Sequence, residues 1–280
     1  MHPKSFSFLT IAFCAFNMAW AAPDTFYGDR SQLGDGYFRT YVQKTAEGAI
    51  DTIGVEFDES SLMFLPRDAT DGNNCFDLDG DNFVNLHDEC MGGHQRILFL
   101  PMETEKTPFK WVLLNWNPHG HIPMGIYTVP HFDFHFYMQN YTERNLIRPG
   151  RCSMLVDCND YLKGKVPVPT KFMPPGYSDV DAVEVRMGNH LVDLSSPEFQ
   201  PQGEFSHTFI FGAYEGRITF WEPMITMDFF QKKTSSCTDI ALPQAYDAAG
   251  YYPTRYCIRY TDRNTYTVSL EGMQLRKADF

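Results

Sequence analysis

Positive charge is scarce in this 280-residue sequence. Lys and Arg number 23 against 35 Asp and Glu, for a formal net charge of −12. A surface this acidic repels DNA, RNA and anionic lipid and suits solubility or cation binding, so no nucleic-acid partner is expected. Beyond Ala21 no apolar run approaches the roughly 20 residues needed to cross a bilayer, and no membrane span is expected. No two cysteines have C-x-x-C spacing, which removes the usual redox and zinc-ribbon motifs. G-x-S-x-G, the P-loop and the dinucleotide G-x-G-x-x-G are also missing, so no nucleophile elbow or nucleotide cradle is expected. Gly, Pro and aromatic residues are spread evenly, without repeats or low-complexity tracts.

What is present begins with a leader. Residues 1–21 carry one charge, Lys4, then an apolar stretch and the small-x-small triplet Ala19-Trp20-Ala21. This is the pattern of a secretory signal peptide cut near Ala21, predicting a secreted, periplasmic or extracellular protein. Phe13 before Cys14 argues against a lipoprotein site. Loss of Lys4 takes the net charge from −12 to −13. Residues 22–280 are long enough for one large β domain. Six cysteines remain, and 15 pairings are open to them. In an oxidising compartment the economical choice is the sequence neighbours: Cys75 with Cys90, Cys152 with Cys158, Cys237 with Cys257.

Residues 75–90 read "CFDLDGDNFVNLHDEC". With Asp77 as position 1, oxygen ligands fall at Asp79 (3), Asp81 (5), the carbonyl of Phe83 (7), Asn85 (9) and Asp88 (12), the spacing of an EF-hand-like calcium loop. Asn82 takes position 6, where Gly is usual, and Asn is the residue that best tolerates a left-handed backbone after Gly. The pattern resembles the loops of dockerins and thrombospondin type 3 repeats. Dockerins have two such loops and this chain has one, so a structural Ca²⁺ is expected rather than a cohesin-binding role. A Cys75–Cys90 bridge would close the same loop.

Short alternating runs dominate the rest. "GYFRTYVQKT", "AIDTIGVEF", "QRILFLP" and "FKWVLLNW" read as strands, "FSHTFIFGAYEGRITFWEPM" and "RYCIRYTDRNTYTVSLEGM" as hairpins, and residues 149–178 as irregular. "ESSLMFL" and "YTERNLI" read as short helical turns, and "MGNHLVD" as a turn-like segment. Many strands with little helix predict a mainly β protein, a single antiparallel β-sandwich or barrel-like domain with an inserted calcium loop.

The stretch "PHFDFHFYM" (residues 130–138) is the most informative. Phe132, Phe134 and Phe136 alternate with His131, Asp133, His135 and Tyr137, as on a strand with two different faces. Together with "GHIPMGIY", "ERNLI", "MGNHLVD", "FSHTFIFGAYEGRITFWEPMIT" and "YPTRYCIRYT", it resembles a domain-of-unknown-function family of secreted bacterial proteins, represented by a sigma-E-regulated secreted protein of a thermophile. The resemblance runs from about Gly36 onward. It implies export, a β-rich fold and homo-oligomerisation, and it carries no mechanism.

His121, His131, Asp133, His135, His190 and Glu222 form the candidate metal set. Residues i and i+2 on a strand lie roughly 6.6 Å apart on one face, within reach of a shared ion, whereas His131 and His135 are about 13 Å apart. Glu222 falls on the face of Ile218 and Phe220, where a carboxylate needs a cation or donors. Histidines with carboxylates suit Zn, Mn, Fe or Cu. Two readings stand side by side. One is a metal centre supporting metal-assisted hydrolysis or oxidation. The other is a non-enzymatic envelope or extracellular protein, binding a small-molecule ligand or assembling with itself, whose polar face is a hydrogen-bonded network. His94 and His119 read as loop residues and His207 as a core histidine.

Overall fold

A computed structural model describes residues 24–279; the leader expected at residues 1–21 lies outside the described residues. The strands are β1 (Asp24–Leu33), β2 (Gly36–Lys44), β3 (Ile50–Asp58), β4 (His94–Phe99), β5 (Trp111–Asn117), β6 (His131–Tyr137), β7 (Pro149–Cys152) and β8 (Tyr177–Glu184). They continue with β9 (Gly188–Asp193), β10 (His207–Tyr214), β11 (Arg217–Thr226), β12 (Ser236–Asp239), β13 (Gly250–Tyr252), β14 (Arg255–Tyr260), β15 (Thr265–Glu271) and β16 (Gln274–Arg276). Three short α-helices join them among the described residues, α1 (Tyr141–Arg144), α2 (Cys158–Gly164) and α3 (Met227–Gln231), with 3₁₀ turns at Glu59–Leu62, Met102–Thr104 and Pro197–Phe199.

Two antiparallel sheets pack face to face. One has the order β1-β2-β3-β15-β14-β12 and the other β4-β5-β6-β11-β10-β9-β8. Neither closes on itself, so the fold is a sandwich, not a barrel. The interior follows from the alternation in the strands. Phe132, Phe134 and Phe136 pair with Trp116, Leu114 and Val112 across β5 and point into the sandwich. There Phe132 meets Phe38 at 5.7 Å between ring centroids and Phe134 meets Phe57 at 6.3 Å. Aromatic rings supply most of this core, with Trp221 edge-on to Phe109 and Phe211. One lateral edge is stitched by Thr40 Oγ1 donating to the Phe99 carbonyl at 2.6 Å and Arg96 Nε to that of Gln32 at 2.8 Å.

The three sequence-neighbour cysteine pairs are bonded: Cys75–Cys90, Cys152–Cys158 and Cys237–Cys257. No helix of the described residues is long and apolar enough to cross a membrane.

Several local readings need correction. The segment 149–178 is not wholly irregular: it holds β7 and α2, the latter started by Asp157, whose side chain accepts from the backbone N–H of Asn159 and Asp160. His94 is no loop residue but the buried first residue of β4, with Nε2 bonded to the Asp68 carbonyl at 2.8 Å. "MGNHLVD" is not a turn but β9, so His190 stands on the sheet itself. Glu222 keeps Phe220 on its face but not Ile218. Gly212 pairs with Phe220 and Ala213 with Ile218, so Thr219 is an extra residue in β11. Such a bulge reverses the alternation. Ile218 joins the sandwich core beside Trp221, while Phe220 and Glu222 face the other way.

Candidate metal centre

The second face of β6 has no wet side. All seven residues of the strand are buried, because loops and the neighbouring strands roof the outer face of the seven-stranded sheet. Beneath them is a cavity of about 740 Å³. Its floor is the outer face of β5, β6, β9, β10 and β11. Its roof comes from the root of the disulfide-closed loop, the 120–127 loop, the Ser153–Met154 turn and the end of β8.

Each sequence-predicted residue reaches this region, and they assemble as two triads. His121, His131 and Asp133 bring one ligand atom each to within 4.8 Å of the others, and so do His135, His190 and Glu222. In the first, His131 Nε2 lies 3.1 Å from Asp133 Oδ1 and His121 Nε2 3.5 Å from Asp133 Oδ2. In the second, His135 Nε2 lies 3.2 Å from Glu222 Oε1. His131 and His135, four residues apart on the strand, fall into different triads.

The other ring nitrogen decides how these contacts are to be read. His121 Nδ1 lies 2.7 Å from the Ile122 carbonyl, His131 Nδ1 2.7 Å from that of Val129, His135 Nδ1 3.2 Å from that of Leu113 and His190 Nδ1 2.9 Å from that of Ala182. A carbonyl oxygen can only accept, so all four Nδ1 atoms carry the proton. In the neutral ring each Nε2 is then a lone pair. Lone pairs therefore face carboxylate oxygens, and a proton or a cation must lie between them. Backbone carbonyls orienting imidazoles in this way are the usual support of metal-ligating histidines.

The carboxylates show the same shortage of donors. Asp133 and Glu222 are each 2% exposed. Asn117 Nδ2 donates to Asp133 Oδ2 at 2.7 Å, but Asp133 Oδ1 and Glu222 Oε2 have no hydrogen-bond donor among the described residues. Burial opposes ionisation of Asp133, yet His131 and His121 outweigh it and hold the carboxyl well below its usual range. Burial pulls His121 down, and Asp133 more than reverses this, so its net shift is upward. In the second triad burial dominates. It pulls His135 down to about 3 and His190 to about 4, and with Asp133 and Glu184 nearby it pushes Glu222 well above the carboxylate range.

Packing fixes the second triad from behind. The Phe220 ring lies 5.0 Å from that of His135 and 5.5 Å from that of His190. Gly212 lets it sit there, since a Cβ at this position would stand 2.1 Å from Phe220 Cε1.

Sequence reasoning missed Glu184, Asn74, Asn115 and Asn117, all of which line the cavity. Asn115 and Asn117 were detectable, being the two polar residues at alternate positions of the otherwise apolar "WVLLNWN". Glu184 gave no such sign. It accepts from Asn74 Nδ2 at 3.2 Å, and burial pushes its carboxyl up to about 7.

In the disulfide-closed loop Asp77, Asp79 and Asp81 gather within 4.8 Å, while Asp88 lies outside that cluster, 3.3 Å from Asn85 Nδ2. Asn82 has φ 65, the left-handed backbone position 6 requires. Phe83 is exposed, and the buried Glu89 accepts from the backbone N–H of Leu78 and Asn85. His207 bonds Tyr256 Oη at 2.8 Å and belongs to the core side. No family model, curated protein or solved structure matches this chain.

Folding raises the Glu184 carboxyl from its ordinary 4.5 to about 7, so its ionisation opposes folding increasingly between those pH values. Glu184→Gln removes that opposition. In metal-free protein its melting temperature, relative to wild type, should climb from pH 5 to pH 7 and level off above pH 8. A difference independent of pH contradicts this.

Proposed function

We propose that this is an exported metalloprotein that holds transition-metal ions at the His121/His131/Asp133 and His135/His190/Glu222 triads and carries out metal-assisted hydrolysis in the cavity above them. The observation that carries the reading is the set of four imidazoles whose Nδ1–H is held by backbone carbonyls, gathered in two triads with the buried Asp133 and Glu222, each of which keeps one oxygen without a donor. With neutral rings and ionised carboxylates, acceptors meet acceptors in both triads, a clash that a cation placed between them relieves as a proton does. Two imidazoles and one carboxylate suit Zn, Fe, Mn or Cu. These residues would hold such an ion, which when bound would supply an acidified water and polarise a carbonyl.

The protein's own groups complete the chemistry. Asn117 orients Asp133, and Phe220 locks the rings of His135 and His190. Glu184, a cavity carboxyl poised near neutrality, accepts and returns the proton. The 75–90 loop is read as a structural calcium loop whose root walls the cavity: Asn74 reaches Glu184, and Cys90, Met91 and Gly92 line the space. The disulfides are consistent with an oxidising, extracellular setting.

Natively exported mature protein should contain about two transition-metal ions per chain. Asp133→Asn and His135→Ala should each lower the count by about one while keeping the far-ultraviolet circular dichroism of wild type. Titration in two buffers of different ionisation enthalpy should show about one proton released per ion, because the raised His121 and Glu222 must both deprotonate. Absence of transition metal, or variants that keep the full load, overturns the proposal. Chelation should also lower the melting temperature through the loop. Added calcium should restore that part in wild type but not in Asp77→Asn/Asp81→Asn, with the transition-metal count unchanged; equal behaviour of the two proteins contradicts the calcium reading.

A further inference from the structure

The cavity walls are divided in chemistry. The floor holds the two triads, but one flank is an apolar cluster of Val192, Ile210 and Met224, with Phe199 packed against it. Met154 and Met187 add further thioether surface. Among the exposed residues at the mouth, Ile122 and Val180 are apolar and Ser153 and Asp181 polar, so the mouth is mixed and carries no positive charge. Charge is one-sided. Asp133, Asp181, Glu184 and Glu222 line the space, and no Lys or Arg does among the described residues.

We infer that the cavity accepts a small molecule with one polar end, held at the triads, and an uncharged apolar body lying along the Val192–Ile210–Met224 flank. The metal reading above is the basis for the head group only; the body is assigned by the wall. An anionic group beyond the reach of the ions would be buried among carboxylates with no cation to match it. A sugar-like body fares little better, because an apolar wall leaves its hydroxyls without partners. Methionine side chains adapt to several shapes, which suits a chain or ring system rather than one rigid outline. A volume of about 740 Å³ is in the range that encloses a drug-sized ligand.

Binding of straight-chain hydroxamates from two to eight carbons, with ω-carboxylate analogues of equal length, tests this on protein whose metal content has been measured. A hydroxamate head chelates transition metals, so only the tail varies. The expected result is about fourfold tighter binding per added methylene until the flank is filled, with the ω-carboxylate forms weaker by more than tenfold. Val180→Asp, at an exposed position, should keep the metal count and the affinity for the shortest chain while weakening the longest by tenfold or more. Affinity independent of chain length, or a carboxylate tail bound as well as a methyl tail, overturns the inference. If the protein proves to hold no transition metal, the metal reading fails by itself. Primary alkanamides of the same lengths then read the wall alone: a fourfold step per methylene upholds the apolar-body class, and a flat series overturns it.

Discussion

Strand β6 carries Asp133 between His131 and His135, and both faces of the strand are withdrawn from water. A carboxylate that loses its hydration must recover the loss from charge or donors. Most of what surrounds the cavity can be understood as meeting that demand. Asn117 on β5 supplies one donor. His121 is brought over the strand by the 120–127 loop, and its Nδ1 is held by the carbonyl of Ile122. The same demand is repeated one strand away, where Glu222 and His190 meet His135. The opposite, phenylalanine face of β6 makes this affordable in structural terms: Phe132, Phe134 and Phe136 anchor the strand in the sandwich core, so the polar face is positioned by packing that does not involve it.

Much of this architecture was legible in the residues. Period-2 alternation in "HFDFHFY" separated the core face from the polar face correctly, because on a strand the chemistry of each side chain directly reports its side. The division of six candidate residues between two triads was partly legible too, since the spacing of β-strand residues already keeps His131 and His135 apart. The errors have physical causes. A bulge at Thr219 reverses the alternation in β11, and a pattern counted by twos cannot register one extra residue. His190 reads as part of a turn because Met187 and Gly188 look like one; the turn ends at Met187, and the strand begins at Gly188. Glu184 was invisible because a glutamate in "DAVEVR" looks like an exposed strand residue, and only the roof over β8 buries it.

The contrast between the two triads bears on what they do. In the first, Asp133 and His121 stabilise each other's charged forms. In the second, burial favours neutral histidines and a protonated Glu222. The two sites therefore differ in charge before any ion arrives, although both present two imidazoles and one carboxylate. An acidic sequence of net charge −12 favours cation capture on either. On the proposed reading the floor would take cations, and the apolar flank of Val192, Ile210 and Met224 would set what else enters.

Anomalous X-ray diffraction from crystals of natively exported protein, collected at the absorption edge of whichever metal is found, tests the central claim most directly. The account predicts two peaks in the cavity, each about 2.0–2.2 Å from the imidazole Nε2 atoms and one carboxylate oxygen of a single triad. A cavity without anomalous density, with ordered waters or shared protons joining Nε2 to Asp133 and Glu222, would contradict it and leave the histidine face a structural network.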